Sequence, residues 1–208
     1  MLIIGLTGSI GMGKSAAVAI FRAEGVPVCD ADAEVHQLYA SSGAAVAPIE
    51  TAFPGTTSAN GVDRQKLAAK LLADPSGFER IEAIVHPLVR EAERAFLAAA
   101  KARNNWAAVL EIPLLFEGGG EKTVDATVVV SAPAEMQRAR VLARPGMTDE
   151  KFQQILARQW PDAKKRAAAT FVVDTGGALE STAVQIGLAL ATLKIRALPA
   201  HAYDRHWR

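Results

Sequence analysis

The residues of this chain that could do chemistry begin with a glycine-rich loop. Gly8, Gly11 and Gly13 lead into Lys14, Ser15 and Ala16 in the pattern Gly8-x-x-x-x-Gly13-Lys14-Ser15. Glycine N–H groups can converge on one anion because no Cβ blocks the approach, and a helix that follows adds the positive end of its dipole. The pattern predicts a nucleotide-phosphate cradle running from Gly8 through Gly11, Met12, Gly13, Lys14 and Ser15 to Ala16. Lys14 would reach the β- and γ-phosphates, and the Ser15 hydroxyl would ligate Mg²⁺.

Arginines and acids follow. Arg138, Arg140 and Arg144 share one stretch, and on a helix Arg140 and Arg144 stand one turn apart on one face. Beside a phosphate loop they suit one polyphosphate, whereas on an arbitrary helix the same spacing makes a solvated basic face. Val28-Cys29-Asp30-Ala31-Asp32 puts two carboxylates where a strand ends, at the edge where α/β sheets bind ligands. Either acid alone suits a helix start, as an N-cap or as charge in the first turn. For the pair we read a division of labour, with Asp30 shaping the turn and Asp32 accepting or orienting the proton of an acceptor hydroxyl. Glu111 reads either as a water-bridged Mg²⁺ acid or as an edge-of-sheet Glu without that duty. Glu117, after Ile112-Pro-Leu-Leu-Phe116, could fix an acceptor or the phosphate loop.

The elements needed to hold these groups are legible in outline. Leu2–Leu6, Val26–Cys29, Ala107–Ile112, Ala126–Val130 and Phe171–Val173 are short, almost wholly apolar runs separated by helical stretches. That alternation predicts an α/β, doubly wound, five-stranded parallel sheet of the P-loop NTPase class, with Lys14–Ala23 as its first helix. Residues 31–105 carry no strand signal and several helical stretches, among them 62–73 and 78–85 around a loop at 53–61. They read as an inserted helical lobe that binds an acceptor. Residues 136–169, rich in Arg and Lys and broken at Arg144-Pro145-Gly146 and Trp160-Pro161, read as a helical lid. The nucleotide-binding core is then 1–30, 106–135 and 170–208. Such a plan serves phosphoryl transfer, which needs an acceptor held in line, cations on the moving group and water kept out.

Bulk composition narrows the class further. Half of the 208 residues are hydrophobic and the formal charge is +1, which carries no nucleic-acid or membrane-surface signal. A single cysteine, Cys29, cannot form an internal disulfide, in keeping with a reducing, cytoplasmic setting. The apolar N-terminus lacks a basic leader and is cut by glycines, so it reads as a strand rather than a signal peptide. The final residues, His201–Arg208, show no motif and are expected to be mobile. Composition and motifs are silent on oligomeric state.

These segments together resemble the dephospho-CoA kinase family. The likeness rests on GLTGSIGMGKS, VCDAD, VDRQKL, IEAIVHPLVR, VLEIPLLFE, Gln137 to Arg144, QILARQ and FVVDTGG, and runs nearly end to end. The resemblance implies ATP-dependent phosphorylation of the ribose 3′-hydroxyl of dephospho-CoA, with Mg²⁺ as cofactor. ATP and dephospho-CoA are the implied small-molecule partners. Asp32 then matches the base, Lys14 and Ser15 the nucleotide and Mg²⁺ residues, and Arg140 and Arg144 the lid arginines, so that Asp32, Lys14, Arg140 and Arg144 are the candidate catalytic groups. Arg64, His86, Arg90 and Glu117 match acceptor-site positions. His86, before Pro87, also reads as a cap or packed ring at a helix start. Thr170 and Thr175 depart from the family pattern near the expected adenine contact. The alternative is another small-molecule or nucleotide P-loop kinase. A GTPase-like switch is disfavoured, because Asp174-Thr-Gly-Gly177 comes too late and no N-K-x-D segment is present.

Overall fold

The computed structural model describes residues 1–196 and 201–207. In chain order the elements are β1 (Leu2–Thr7), α1 (Lys14–Ala23), β2 (Val28–Asp30), α2 (Ala31–Tyr39), α3 (Val46–Ala52), β3 (Thr57–Ser58), β4 (Gly61–Val62), α4 (Arg64–Ala73) and α5 (Gly77–Ala102). There follow β5 (Ala107–Glu111), β6 (Ala126–Ser131), α6 (Ala134–Leu142), α7 (Asp149–Leu156), α8 (Asp162–Ala168), β7 (Phe171–Asp174) and α9 (Leu179–Arg196). The main sheet is five-stranded in the order β2-β5-β1-β6-β7, and the β1–β5, β1–β6 and β6–β7 pairs are parallel. Every residue of β1, β5 and β6 is buried, which is why these strands read as continuous apolar runs rather than alternating ones. From β1 the chain goes on to β2, and from β5 to β6, on opposite sides of the adjacent β1–β5 pair. Their carboxyl ends therefore form a topological switch point, where open α/β sheets bind ligands.

The chain divides into two compact units, Met1–Cys29 with Leu97–Arg208, and Asp30–Phe96. In the sheet unit Leu2, Ile4 and Leu6 of β1, Phe21 of α1, Val128 and Val130 of β6, and Ile186 and Leu193 of α9 share one core. In the helical unit Ile49, Phe53, Leu67, Leu71, Ile81 and Val85 form another. Leu67/Leu71 and Ile81/Val85 are each four apart, so each pair lies on one helical face.

Four details differ from the sequence reading. β2 begins at Val28 rather than Val26, because Pro27 has no N–H for a ladder and offers only its carbonyl, to Val109 at 2.9 Å. The 53–61 loop starts a small antiparallel hairpin, with Thr57 opposite Val62 and Ser58 opposite Gly61, too short for any periodicity to signal. The His86-Pro87 pair lies inside α5 rather than at a helix start. Pro87 denies the Ala83 carbonyl its usual donor, and both residues are exposed, so solvent can replace it. Residues 201–207 of the tail are packed rather than mobile, and Arg208 lies outside the described residues. Trp207 has no solvent exposure, and its Nε1–H donates to the Thr123 carbonyl at 2.7 Å. The N–H groups of His201 and Ala202 both reach Asp125 Oδ1, at 2.9 and 2.8 Å, while Oδ2 accepts from the Ile3 N–H at 2.8 Å. Partners this distant in sequence leave no local pattern in the tail.

Candidate active site

α1 starts at Lys14 because Gly13, at φ 87° and ψ 20°, turns the chain left-handed just before it. No side chain caps this helix and no acid lies in its first turn, so its leading N–H groups are left for an anion. Two of the glycines are required from the scaffold side as well. A Cβ on Gly11 would lie 2.6 Å from Val141 Cγ2 and 3.0 Å from the Gln137 carbonyl, and one on Gly13 would lie 3.0 Å from Thr175 Oγ1. Met12 is buried. Its sulfur accepts from the Ala132 N–H at 3.1 Å and its carbonyl from Thr175 Oγ1 at 2.8 Å. Lys14 Nζ donates to the Gly8 carbonyl at 2.9 Å and stands 3.9 Å from Glu111 Oε1. Ser15 is exposed on the first turn, and Ala16 is half-buried beside it.

Sequence reasoning assigned no role to two glutamines that grip the loop. The Ile10 N–H donates to Gln159 Oε1 at 3.1 Å, and the Ile10 carbonyl accepts from Gln137 Nε2 at 2.8 Å. Both polar groups of one loop peptide position are thus satisfied by the segment read as a lid. Gln137 is buried, yet in the sequence it stands among arginines in a helix without a strong apolar stripe, so it was marked only as the start of the segment Gln137 to Arg144, without a role.

Arg140 lies on α6, where its Nη2 donates to the Thr175 carbonyl at 2.7 Å. Its Nη1 is buried with no partner, a donor left for an incoming oxygen. Arg144 does not share that helical face. α6 ends at Leu142, and Arg144 sits exposed in the turn beyond, because Pro145 disfavours helical backbone in the residue before it. Thr170 exchanges hydrogen bonds with Thr127, its N–H to Thr127 Oγ1 at 2.9 Å and its Oγ1 accepting from the Thr127 N–H at 3.0 Å. Both departures from the family pattern therefore have internal partners. A cavity of about 370 Å³ opens beside them, lined by Ser131, Pro133, Asp162, Arg166, Val172 and Asp174.

Glu117 is turned inward. Its Oε1 accepts from Lys165 Nζ at 2.9 Å and from the Trp160 N–H at 2.6 Å, while the Phe116 and Trp160 rings stack at 5.7 Å between centroids. Burial alone would raise the Glu117 carboxyl, but the bonds from Lys165 and Trp160 outweigh it and hold the group below its ordinary value. In this conformation the residue fastens the loop after β5 to the segment before α8.

The helical unit carries the remaining candidates. Asp30 closes β2 and caps α2, its Oδ1 accepting from the Ala33 N–H at 3.0 Å. Asp32 is exposed in the first turn of α2, and His36 follows one turn later. Arg64 opens α4 and donates from Nη2 to His36 Nδ1 at 3.1 Å, with its guanidinium 5.4 Å from the centre of the Tyr39 ring. His86 is exposed on α5, and Arg90 is half-buried one turn further on. Glu93, on the next turn, escaped the sequence reading. It is 7% exposed, and burial first, with Glu34 adding to it against the opposing pull of Arg90, pushes its carboxyl up to about 7.

The donor set fits a hard, oxygen-seeking cation that keeps most of its water. The site offers one exposed hydroxyl, Ser15, and the buried carboxylate of Glu111 near Lys14. Among the described residues no cluster of three His, Cys, Asp or Glu side chains could cage a metal alone. None of the helices described is long and apolar enough to cross a membrane.

Residues 2–181 match the family model for dephospho-CoA kinase. The chain is similar to the dephospho-CoA kinase of Agrobacterium fabrum, at 56% identity over 89% of this chain and 95% of that one. It is also similar to that of Mesorhizobium japonicum, at 52% identity over 93% and 98%. A crystal structure from Thermus thermophilus superposes with a TM-score of 0.77 at 36% identity, covering 92% of this chain and 97% of that one. A dephospho-CoA kinase from Campylobacter jejuni, at 21% identity and TM-score 0.67 over 92% and 98%, shares the fold.

Proposed function

The chain belongs to the dephospho-CoA kinase family, and from that premise we propose how its own residues carry out the last step of coenzyme A synthesis. ATP is the phosphoryl donor and dephospho-CoA the acceptor, phosphorylated on its ribose 3′-hydroxyl. The observation that carries this reading is the uncapped, acid-free first turn of α1 behind Gly13, with Lys14 and Ser15 on it.

The N–H groups from Gly11 to Ala16 bind the donor phosphates, and Lys14 exchanges the Gly8 carbonyl for the β- and γ-phosphate oxygens. Ser15 would hold Mg²⁺, with Glu111 supporting it through water, and an ion bound there would supply positive charge to the terminal phosphates. The cavity beside Ser131 and Asp162 takes the donor base. Arg140 supplies its unpaired Nη1–H to the moving phosphoryl group, and Arg144 joins it when the lid, residues 136–169, closes. The helical lobe, 31–105, holds the acceptor through Arg64, His86 and Arg90. Glu117 organises that edge of the sheet. Asp32 orients the 3′-hydroxyl and takes its proton. The single buried cysteine and the overall charge of only +1 suit a cytoplasmic enzyme.

Incubation of the purified protein with ATP, Mg²⁺ and dephospho-CoA, read by mass, tests the reaction. Conversion to coenzyme A is expected in the parent and a loss of orders of magnitude in a folded Lys14→Ala variant. Nucleotide turnover with other acceptors but none with dephospho-CoA would refute the reading.

A further inference from the structure

An open hollow of about 240 Å³ in the helical unit is lined by His36, Tyr39, Ala40, Asn60, Val62 and Arg64. Arginine has no acceptor, so the contact from Arg64 Nη2 to His36 Nδ1 at 3.1 Å makes that nitrogen the acceptor. The imidazole proton therefore sits on Nε2, which becomes a donor. Arg64 is held on its other side by the Tyr39 ring, 5.4 Å away. Next in sequence to Arg64, Asp63 accepts the N–H groups of Gln65 and Lys66, at 3.1 Å each, so its carboxylate is turned to the helix end. The hollow thus presents a fixed guanidinium, an imidazole N–H and an amide, with no carboxylate among its lining residues. That set recognises an anion.

We propose that His36 and Arg64, steadied by Tyr39, form the subsite for the diphosphate of the acceptor. The assignment rests on the reading of Asp32 as the group that meets the 3′-hydroxyl. His36 stands one turn after Asp32 on α2, and side chains so spaced are ~5–6 Å apart at Cβ. A ribose 3′-hydroxyl and the phosphorus on the 5′-oxygen of the same sugar are separated by about one sugar ring. One face of α2 therefore addresses both ends of the acceptor ribose, Asp32 the hydroxyl and His36, with Arg64, the diphosphate. Neither His36 nor Tyr39 belongs to any recognised motif of the chain, and their role follows from their contact with Arg64.

The test compares dephospho-CoA with adenosine, which offers the same hydroxyl without the diphosphate, at saturating ATP. The parent enzyme should strongly prefer dephospho-CoA. Arg64→Ala should lower kcat/KM for dephospho-CoA about 10- to 100-fold and His36→Ala about tenfold, mainly through KM, with the KM for ATP unchanged. The preference over adenosine should shrink by the same factors, and Arg64→Lys should recover part of it. Thermal melting identifies any variant that is simply misfolded. A folded Arg64→Ala enzyme with unchanged KM for dephospho-CoA would overturn the assignment, as would a parent that uses adenosine equally well. A parent that does not phosphorylate dephospho-CoA at all would instead overturn the function from which the assignment starts.

Discussion

The ammonium of Lys165, with no solvent exposure, lies 2.9 Å from the carboxylate of Glu117. A charge so deeply buried persists only because a paired and hydrogen-bonded anion faces it. Lys165 Nζ also approaches the Pro113 carbonyl at 3.4 Å, and that carbonyl accepts from Thr7 Oγ1 at 3.1 Å. Lys165 thus links α8 both to the loop after β5, through Glu117, and to the end of β1, through the Pro113 carbonyl that Thr7 shares.

Breaking that pair from one side should be costly. Glu117→Gln leaves the lysine charge buried without its counter-ion, and about 3–5 kcal/mol of stability should be lost. Replacing both partners, as Glu117→Leu with Lys165→Met, should recover much of the loss. Chemical denaturation of the parent and the two variants checks this; a double variant no more stable than Glu117→Gln would show that the loop needs the charges themselves.

The two lid arginines should separate. Arg140→Ala removes both the unpartnered donor proposed to meet the moving phosphoryl group and the bond to Thr175, so kcat should fall on the order of 10²-fold with a loss of about 1 kcal/mol in stability. Arg144→Ala, an exposed position in a turn, should lower kcat without moving the melting temperature. Steady-state kinetics beside thermal melts would expose the error if only acceptor affinity changed in either variant.

Substitutions of Asp30 and Asp32 should have opposite effects. Asp30→Ala deletes the cap on the Ala33 N–H and should cost about 1 kcal/mol with little effect on rate. Asp32→Asn should leave stability and binding unchanged and lower kcat by about 10² to 10⁴, toward the low end if the loose transition state asks little of the nucleophile. An active Asp32→Asn enzyme beside a folded, inactive Asp30→Ala enzyme would reverse the assignment.

Glu93 should make the helical unit sensitive to pH. Its carboxyl titrates near 7 when folded against an ordinary value of 4.5, so between those values the folded chain holds a proton that the unfolded chain has released. Stability therefore falls as pH rises through that window and levels off above it, by at most ~3 kcal/mol. Glu93→Gln, which carries no charge to desolvate, should match the parent near pH 5 and exceed it near pH 8. Parallel melting profiles of parent and variant across that range would exclude Glu93 as the cause.

What the sequence determined by itself is what short-range chemistry encodes. The glycine loop and the helix from Lys14 to Ala23 were legible because turn glycines, a lysine and a serine must be adjacent to work together. The sheet strands were legible because burial on both faces demands unbroken apolar runs. Asp30 as a cap was legible because capping is a three-residue affair. Tertiary structure alone decided the rest. Gln137 and Gln159 meet at Ile10, Glu117 meets Lys165, Arg64 meets His36, and Trp207 meets Thr123, each across a separation that no local pattern spans. A polar side chain states what it can donate or accept, but the fold chooses its partner. Arg140 and Arg144 show the same limit at short range. Their spacing promised one helical face, and the proline at 145 ended the helix before the second could join it.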